Sequence, residues 1–269
     1  MSSIADQFHR LGREKRKGFV PFVTAGDPDL ESSLAIVLKL AELGADVIEL
    51  GVPFSDPVAD GPTIQRSSQR ALANGVNLSE ILDLVRRTRE SVEVPIVLFS
   101  YLNPLLRYGF ARLSRDAAVA GVDAMLITDA VDEEASAFAQ TLAGDGLDLI
   151  SLVAPTTTDV RLREIAGRSS GFLYAVSRAG VTGARASVSA EAELLVERCR
   201  KITNLPVAVG FGISTLEQIA DVWRYADAAV VGSAIVSEIE KAPSESVVNA
   251  VEGFMHRLLP PFAKSGAEL

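Results

Sequence analysis

The sequence is short of cysteine, histidine and lysine, and each shortage removes a chemistry. Cys199 is its single cysteine in 269 residues. No intramolecular disulfide can form, which fits a reducing, cytoplasmic setting. Cys199 stands mid-helix with no nucleophile signature and reads as a small buried hydrophobe. The two histidines, His9 and His256, fall in flanking helical stretches, so a three-His or His-carboxylate metal site is not expected. Lysine occurs only at Lys15, Lys17, Lys39, Lys201, Lys241 and Lys264. All six lie in termini or helical stretches, and no strand end offers an amine for a Schiff base. Positive charge is also scarce: 26 Lys and Arg against 35 Asp and Glu give a net charge of −9. With no basic cluster beyond Arg13 to Lys17, the chain is a poor nucleic-acid binder. No apolar run is long enough to span a bilayer. The first ten residues lack the apolar core of a secretory signal. What remains is acid–base work by carboxylates, with no metal and no cofactor.

Apolar residues are abundant, at 48%, and their arrangement is rhythmic. Short β-branched runs occur near Gly18–Thr24, Asp46–Gly51, Pro95–Tyr101, Asp123–Asp129, Leu147–Ala154, Gly171–Ser177, Pro206–Phe211 and Asp227–Gly232. They are apolar on both faces, as parallel strands covered by helices should be. Helical periodicity fills gaps between them, at Leu30–Leu43, Leu78–Arg89, Glu133–Leu142, Ala190–Ile202 and Thr215–Arg224. Eight strands alternating with helices predict a closed (β/α)8 barrel, with a doubly wound open sheet as the alternative. Ile4, Phe8 and Leu11 predict an extra N-terminal helix that plugs one mouth. A last helix at about Ser244–Leu259 packs on the wall. No linker or low-complexity tract marks a second domain, so residues 1–269 read as one domain.

In such a barrel the chemistry lies at the C-terminal strand ends and the loops after them. Glu49 sits in the apolar strand Val47-Ile48-Glu49-Leu50. An unpaired carboxylate there is desolvated, which raises its pKa toward the range useful for proton transfer. The competing reading pairs it with an arginine inside the barrel. Asp60, ahead of Gly61-Pro62, is a second candidate, or else the cap of the following helix. Asp129 is a third candidate, or else a bonding partner for backbone groups in its turn. Glycine-bearing turns follow the sixth, seventh and eighth strands: Gly180 to Gly183, Gly210 to Gly212, and Gly232-Ser233. The last opens a short helix, Ala234–Glu240. Loops after strands seven and eight with a short helix start are the usual phosphate site of a barrel.

The segment from Glu49 through Pro53-Phe-Ser-Asp-Pro-Val-Ala-Asp60 to Gln65 closely resembles the signature of the tryptophan synthase alpha chain family. So do Phe22 to Pro28, Tyr101 to Pro104, Gly180 to Arg185 and Gly210 to Ser214. The resemblance runs nearly end to end. It implies a TIM barrel that cleaves indole-3-glycerol phosphate by a retro-aldol reaction, and a beta-chain partner that receives the indole. It places the catalytic pair on Glu49 and Asp60. Phosphate contacts fall on Gly183, Gly212, Gly232 and Ser233, and an indole pocket on Phe22, Tyr174, Thr182 and Phe211. One departure is visible: the family's Asp-Leu-Pro-x-Glu-Glu reads Asp129-Ala-Val-Asp-Glu-Glu134 here. The loops bearing Asp60 and Arg185 are expected to close over substrate. Phe54, in the proline-stiffened loop Pro53–Pro57, reads as an exposed apolar residue that meets the partner, with a packed loop as the alternative. Two other functions fit the residues: a different phosphate-binding barrel lyase or isomerase, and a non-catalytic activator of a beta chain.

Overall fold

The computed structural model describes residues 3–130, 132–176, 185–210 and 212–259. Its chain order begins α1 (Ser3–Arg13), β1 (Gly18–Thr24), α2 (Leu30–Glu42), β2 (Ile48–Gly51), α3 (Pro62–Ala73), α4 (Leu78–Arg89), β3 (Ile96–Ser100), α5 (Leu102–Tyr108), α6 (Phe110–Ala120) and β4 (Ala124–Ile127). It continues with α7 (Asp132–Gly144), β5 (Asp148–Val153), α8 (Asp159–Arg168), β6 (Leu173–Val176), α9 (Arg185–Arg200), β7 (Val207–Gly210), α10 (Leu216–Trp223) and β8 (Ala228–Val231). The last helices are α11 (Ser233–Lys241) and, after a 3-10 turn, α12 (Val247–Leu258).

The eight strands pair in sequence order and β8 closes on β1, so the sheet is a barrel and not an open doubly wound sheet. Every pairing is parallel. Alternation along each strand separates two apolar layers. Val20, Val47, Val97, Leu126, Ile150 and Val230 point inward, and α1 adds Ile4, Phe8 and Leu11 beneath them. Phe8 meets Phe172 with ring centroids 5.6 Å apart, so α1 plugs the N-terminal mouth. The outward strand residues, such as Ile48, Leu50, Ile96 and Leu98, pack against the helices.

Local signals place several helix starts. Asp29 accepts the Ser32 amide at the start of α2, Asn77 and Glu80 form a capping box on α4, and Thr158 and Thr215 cap α8 and α10. The sequence pattern leaves α5, α6 and α8 unassigned. Pro104 lies inside α5, the apolar residues of α6 are mostly small alanines, and α8 carries much charge between few apolar residues.

The N-terminal rim repeats one device four times. A side chain one to three residues ahead of each even strand accepts an amide proton from the preceding odd strand. Asp46 takes Phe19 N–H (2.9 Å), Asp123 takes Ile96 N–H (2.7 Å), Ser170 takes Leu149 N–H (3.0 Å) and Asp227 takes Val207 N–H (2.9 Å). Arg16, Arg89 and Arg200 neutralise the three carboxylates. This rim stabilises, and the opposite rim is left for chemistry.

Candidate active site

Glu49 occupies an inward position of β2, in register with Phe22 of β1 and Val97 of β3. Its side chain is 1% exposed, and its Oε1 has no hydrogen-bond partner. Burial alone pushes the carboxyl up to about 8, and among the described residues no cation opposes it. Among the described residues no arginine pairs with Glu49 inside the barrel. A carboxyl in this state holds its proton at neutral pH in a dry setting. Gly51, one inward position further along β2, leaves room for the Phe22 ring. A Cβ there would stand 2.5 Å from Phe22 Cζ. Phe22 in turn meets Phe99 edge-on at 5.3 Å. The two rings thus meet beside Gly51, one inward position beyond Glu49, from the strands on either side of β2.

Tyr174, inward on β6, is fully buried, and burial together with the charges of Glu49 and Asp60 raises its pKa. Its hydroxyl fills the space that Gly210 leaves by lacking a side chain. Glu49 and Asp60 both lie near enough to Tyr174 for their charges to act on its hydroxyl.

Asp60 does not cap α3. Gly61 is the N-cap residue, makes no side-chain cap bond, and is followed by Pro62 in the first turn. Proline there fits the missing donor, so the cap reading fails. The Asp60 carboxyl is pushed up to about 6 by burial, against a lowering hydrogen bond with Tyr101. Tyr101 opens one of the segments that resemble the family, but the sequence reading gave it no role in the site. Its side chain is 3% exposed, its hydroxyl accepts the Ala59 amide at 2.8 Å, and its ring lies 5.2 Å from Phe54. It supports the Asp60 loop at three points. Its place at a strand end was the available signal, but no spacing rule joins it to a loop forty residues away. Phe54 is half-buried on Tyr101 instead of exposed; the exposed apolar residue of that loop is Val58, at 87%. Asp129 accepts the Leu102 amide at 2.7 Å, so it bonds the backbone of the neighbouring loop.

The glycine turns after β7 and β8 lie on the same rim. Gly212 has φ +69°, a conformation that glycine adopts without strain. Gly232 is the N-cap of α11, with no side-chain cap bond, and Ser233 is that helix's first residue. Helix-start amides and the dipole favour an anion at such an end. Thr182, Gly183 and Phe211, with Val131 and the turn from Gly180, lie outside the described residues. Among the described residues no cluster of three or more His, Cys, Asp or Glu is placed to hold a metal, and no helix is long and apolar enough to cross a membrane.

A parallel eight-stranded barrel with a dry carboxylic acid and an anion-ready helix start at its C-terminal mouth defines a class: barrel enzymes that do proton chemistry on phosphorylated small molecules. The tryptophan synthase alpha chain family profile matches residues 8–258. The tryptophan synthase alpha chain of Citrifermentans bemidjiense is 50% identical over 258 residues, covering 96% of this chain and 97% of that one. The solved alpha subunit of Legionella pneumophila superposes with a TM-score of 0.85 at 34% identity, over 96% and 98% of the two chains. A chain of the tryptophan synthase α2β2 complex of Pyrococcus furiosus gives 0.85 at 40% identity, over 90% and 97%. The chain belongs to the tryptophan synthase alpha chain family.

Proposed function

We propose that this chain cleaves indole-3-glycerol phosphate to indole and glyceraldehyde 3-phosphate, with Glu49 as the proton-transfer group. The observation that carries the assignment is the Glu49 carboxyl, buried at the mouth of the barrel with its Oε1 unmet by any hydrogen bond. A retro-aldol needs somewhere to place the electrons of the breaking carbon–carbon bond. The substrate supplies this itself: protonating indole C3 gives an electron-poor indolenine, so the reaction asks for no metal or organic cofactor. Glu49, protonated at neutral pH, gives its proton to C3. The carboxylate so formed takes the proton of the glycerol hydroxyl next to the scissile bond. That C–C bond then breaks, its electrons return to the ring, and the hydroxyl carbon becomes the aldehyde. Glu49 ends protonated, ready for another turnover.

Asp60 is assigned to the ring N–H, where a carboxylate stabilises the positive charge of the indolenine. Its support on Tyr101 and its partial burial favour that role. Phe22 and Tyr174, with Thr182 and Phe211, are assigned to the indole, and Gly212, Gly232 and Ser233, with Gly183, to the phosphate. The P. furiosus relative is part of an α2β2 complex. We extend that partnership to this chain, in the cytoplasm, with Val58 rather than Phe54 as the exposed apolar residue of the interface loop.

The test is cleavage of indole-3-glycerol phosphate by the purified chain, alone and with its cognate beta chain. The reading expects indole in both cases and faster turnover in the complex. No indole in either sample contradicts it.

A further inference from the structure

The helix that follows Asp60 is held from the side by an ion cluster reaching two other parts of the candidate site. Arg70 of α3 donates Nε and Nη2 to the two carboxylate oxygens of Asp27, at 2.7 and 2.8 Å. Its Nη1 donates to Glu240 at 2.8 Å. Glu240 also receives Arg66 of α3 at 2.6 and 2.7 Å. Asp27 lies in the loop after β1 and is 1% exposed, so its charge depends on the arginine fork. The same face of α3 carries Ser67, whose hydroxyl shares a 2.7 Å hydrogen bond with Thr24, and Asn74, which donates to the Pro28 carbonyl.

Glu240 belongs to the last turn of α11, and Gly232-Ser233 form that helix's start. Nine residues of helix span about 13 Å at the usual rise. One rigid helix therefore has its anion-ready end at the mouth and its other end fastened to α3, whose first turn follows Asp60. An ion pair as exposed as Arg66–Glu240 adds little to stability. Its worth here lies in fixed geometry, because the planar guanidinium fork admits few orientations.

We propose that Arg70 and Glu240 are positioning residues that couple an occupied phosphate site at α11 to the placement of Asp60. The proposal rests on the functional reading above. It makes the phosphate more than a handle: its binding sets α11, and α11 sets α3 through Glu240.

The experiment presents the substrate in two pieces to the complex with the cognate beta chain: indole-3-glycerol without its phosphate, and inorganic phosphite. Glu240→Gln keeps the shape and leaves Asp27 paired with Arg70, so no buried charge is stranded. Arg70→Lys is the second variant, keeping a cation near Asp27 without the fork. The wild type should cleave indole-3-glycerol faster when phosphite is added. Glu240→Gln should bind phosphite, read by thermal shift, within about threefold of wild type, yet lose roughly tenfold of the acceleration, less than the ~10²-fold that a misplacement of a full 1 Å can cost. On the intact substrate its kcat should fall by a similar factor with KM nearly unchanged, and Arg70→Lys should behave alike. Equal acceleration in wild type and Glu240→Gln, or none in wild type, overturns the coupling. So does a lowered melting temperature with the acceleration intact, which is what a merely structural pair would give. Failure of the underlying reading shows separately, as wild type that does not cleave intact indole-3-glycerol phosphate.

Discussion

Replacing Glu49 by Gln keeps the shape and removes the proton. In the folded chain the carboxyl titrates at about 8, against an ordinary value of 4.5. The folded state therefore holds this proton to higher pH than the unfolded chain does. The stability tied to it is whole below about pH 4.5 and is lost as pH rises through 8. The loss runs at about 1.4 kcal/mol per pH unit between those values. By pH 7 the wild type has given up as much as about 3 kcal/mol relative to acid, while Gln gives up nothing. The difference between variant and wild type should thus grow in favour of Glu49→Gln from pH 5 to pH 7 by about 2.5 kcal/mol, or roughly 5–10 °C in melting temperature. The unmet hydrogen bonds of the amide add an offset that does not vary with pH, so the slope carries the test. The assay is thermal unfolding of both proteins at several pH values, beside single-turnover cleavage. Cleavage should fall by ~10²–10⁴ or more. A difference flat in pH, or a destabilised variant that still turns over, would refute the reasoning. The second result would mean that the carboxylate has a cation partner after all.

Asp60→Asn should lower kcat by roughly 10² or more through lost charge at the ring nitrogen, with the fold intact, since Gly61 and not Asp60 caps α3. The acid limb of the wild-type rate profile, where Asp60 takes up a proton near pH 6, should disappear with it. Tyr101→Phe removes the hydroxyl that lowers the Asp60 pKa, so its acid limb should move above the wild-type value; an unmoved limb counts against that support. Ser233→Ala should raise KM by roughly ten- to a hundredfold with kcat little changed, the scale of one hydrogen bond to a charged group, and should weaken competition by inorganic phosphate. Asp46→Ala strands the Phe19 amide and frees Arg16. It should cost about 2–4 kcal/mol in denaturant unfolding while leaving kcat alone.

The barrel is legible in the sequence because its strands are covered on both sides. Runs such as Val207-Ala-Val-Gly210 and Ala228-Ala-Val-Val231 leave no polar face to confuse the period. Glu49 is legible for the same reason: a carboxylate within Val47 to Leu50 has no wet side to turn to, and the structure finds it buried. Strand ends shift by a residue or two because Asp46, Asp123 and Asp227, read as strand residues, are instead acceptors on the rim. What the sequence hides depends on contacts between distant segments. Nothing near Asp60 distinguishes a helix cap from a free carboxyl until Gly61 and Pro62 are seen to open α3. Tyr101 gains its meaning from Phe54 and Ala59, and Arg70 from Asp27 and Glu240. Phe54 illustrates the converse: an apolar residue in a polar loop looks exposed until an aromatic partner is found for it.

The central claim is that the Glu49 proton is delivered to indole C3, and isotope transfer tests it most directly. Indole-3-glycerol phosphate is cleaved in D2O by the complex with the cognate beta chain lacking L-serine, and the product indole is examined by mass spectrometry and NMR. The account predicts a single deuterium at C3 from wild type and no C3-deuterated product on the same time scale from Glu49→Gln. A Glu49→Gln variant that forms C3-deuterated indole at close to the wild-type rate would contradict it.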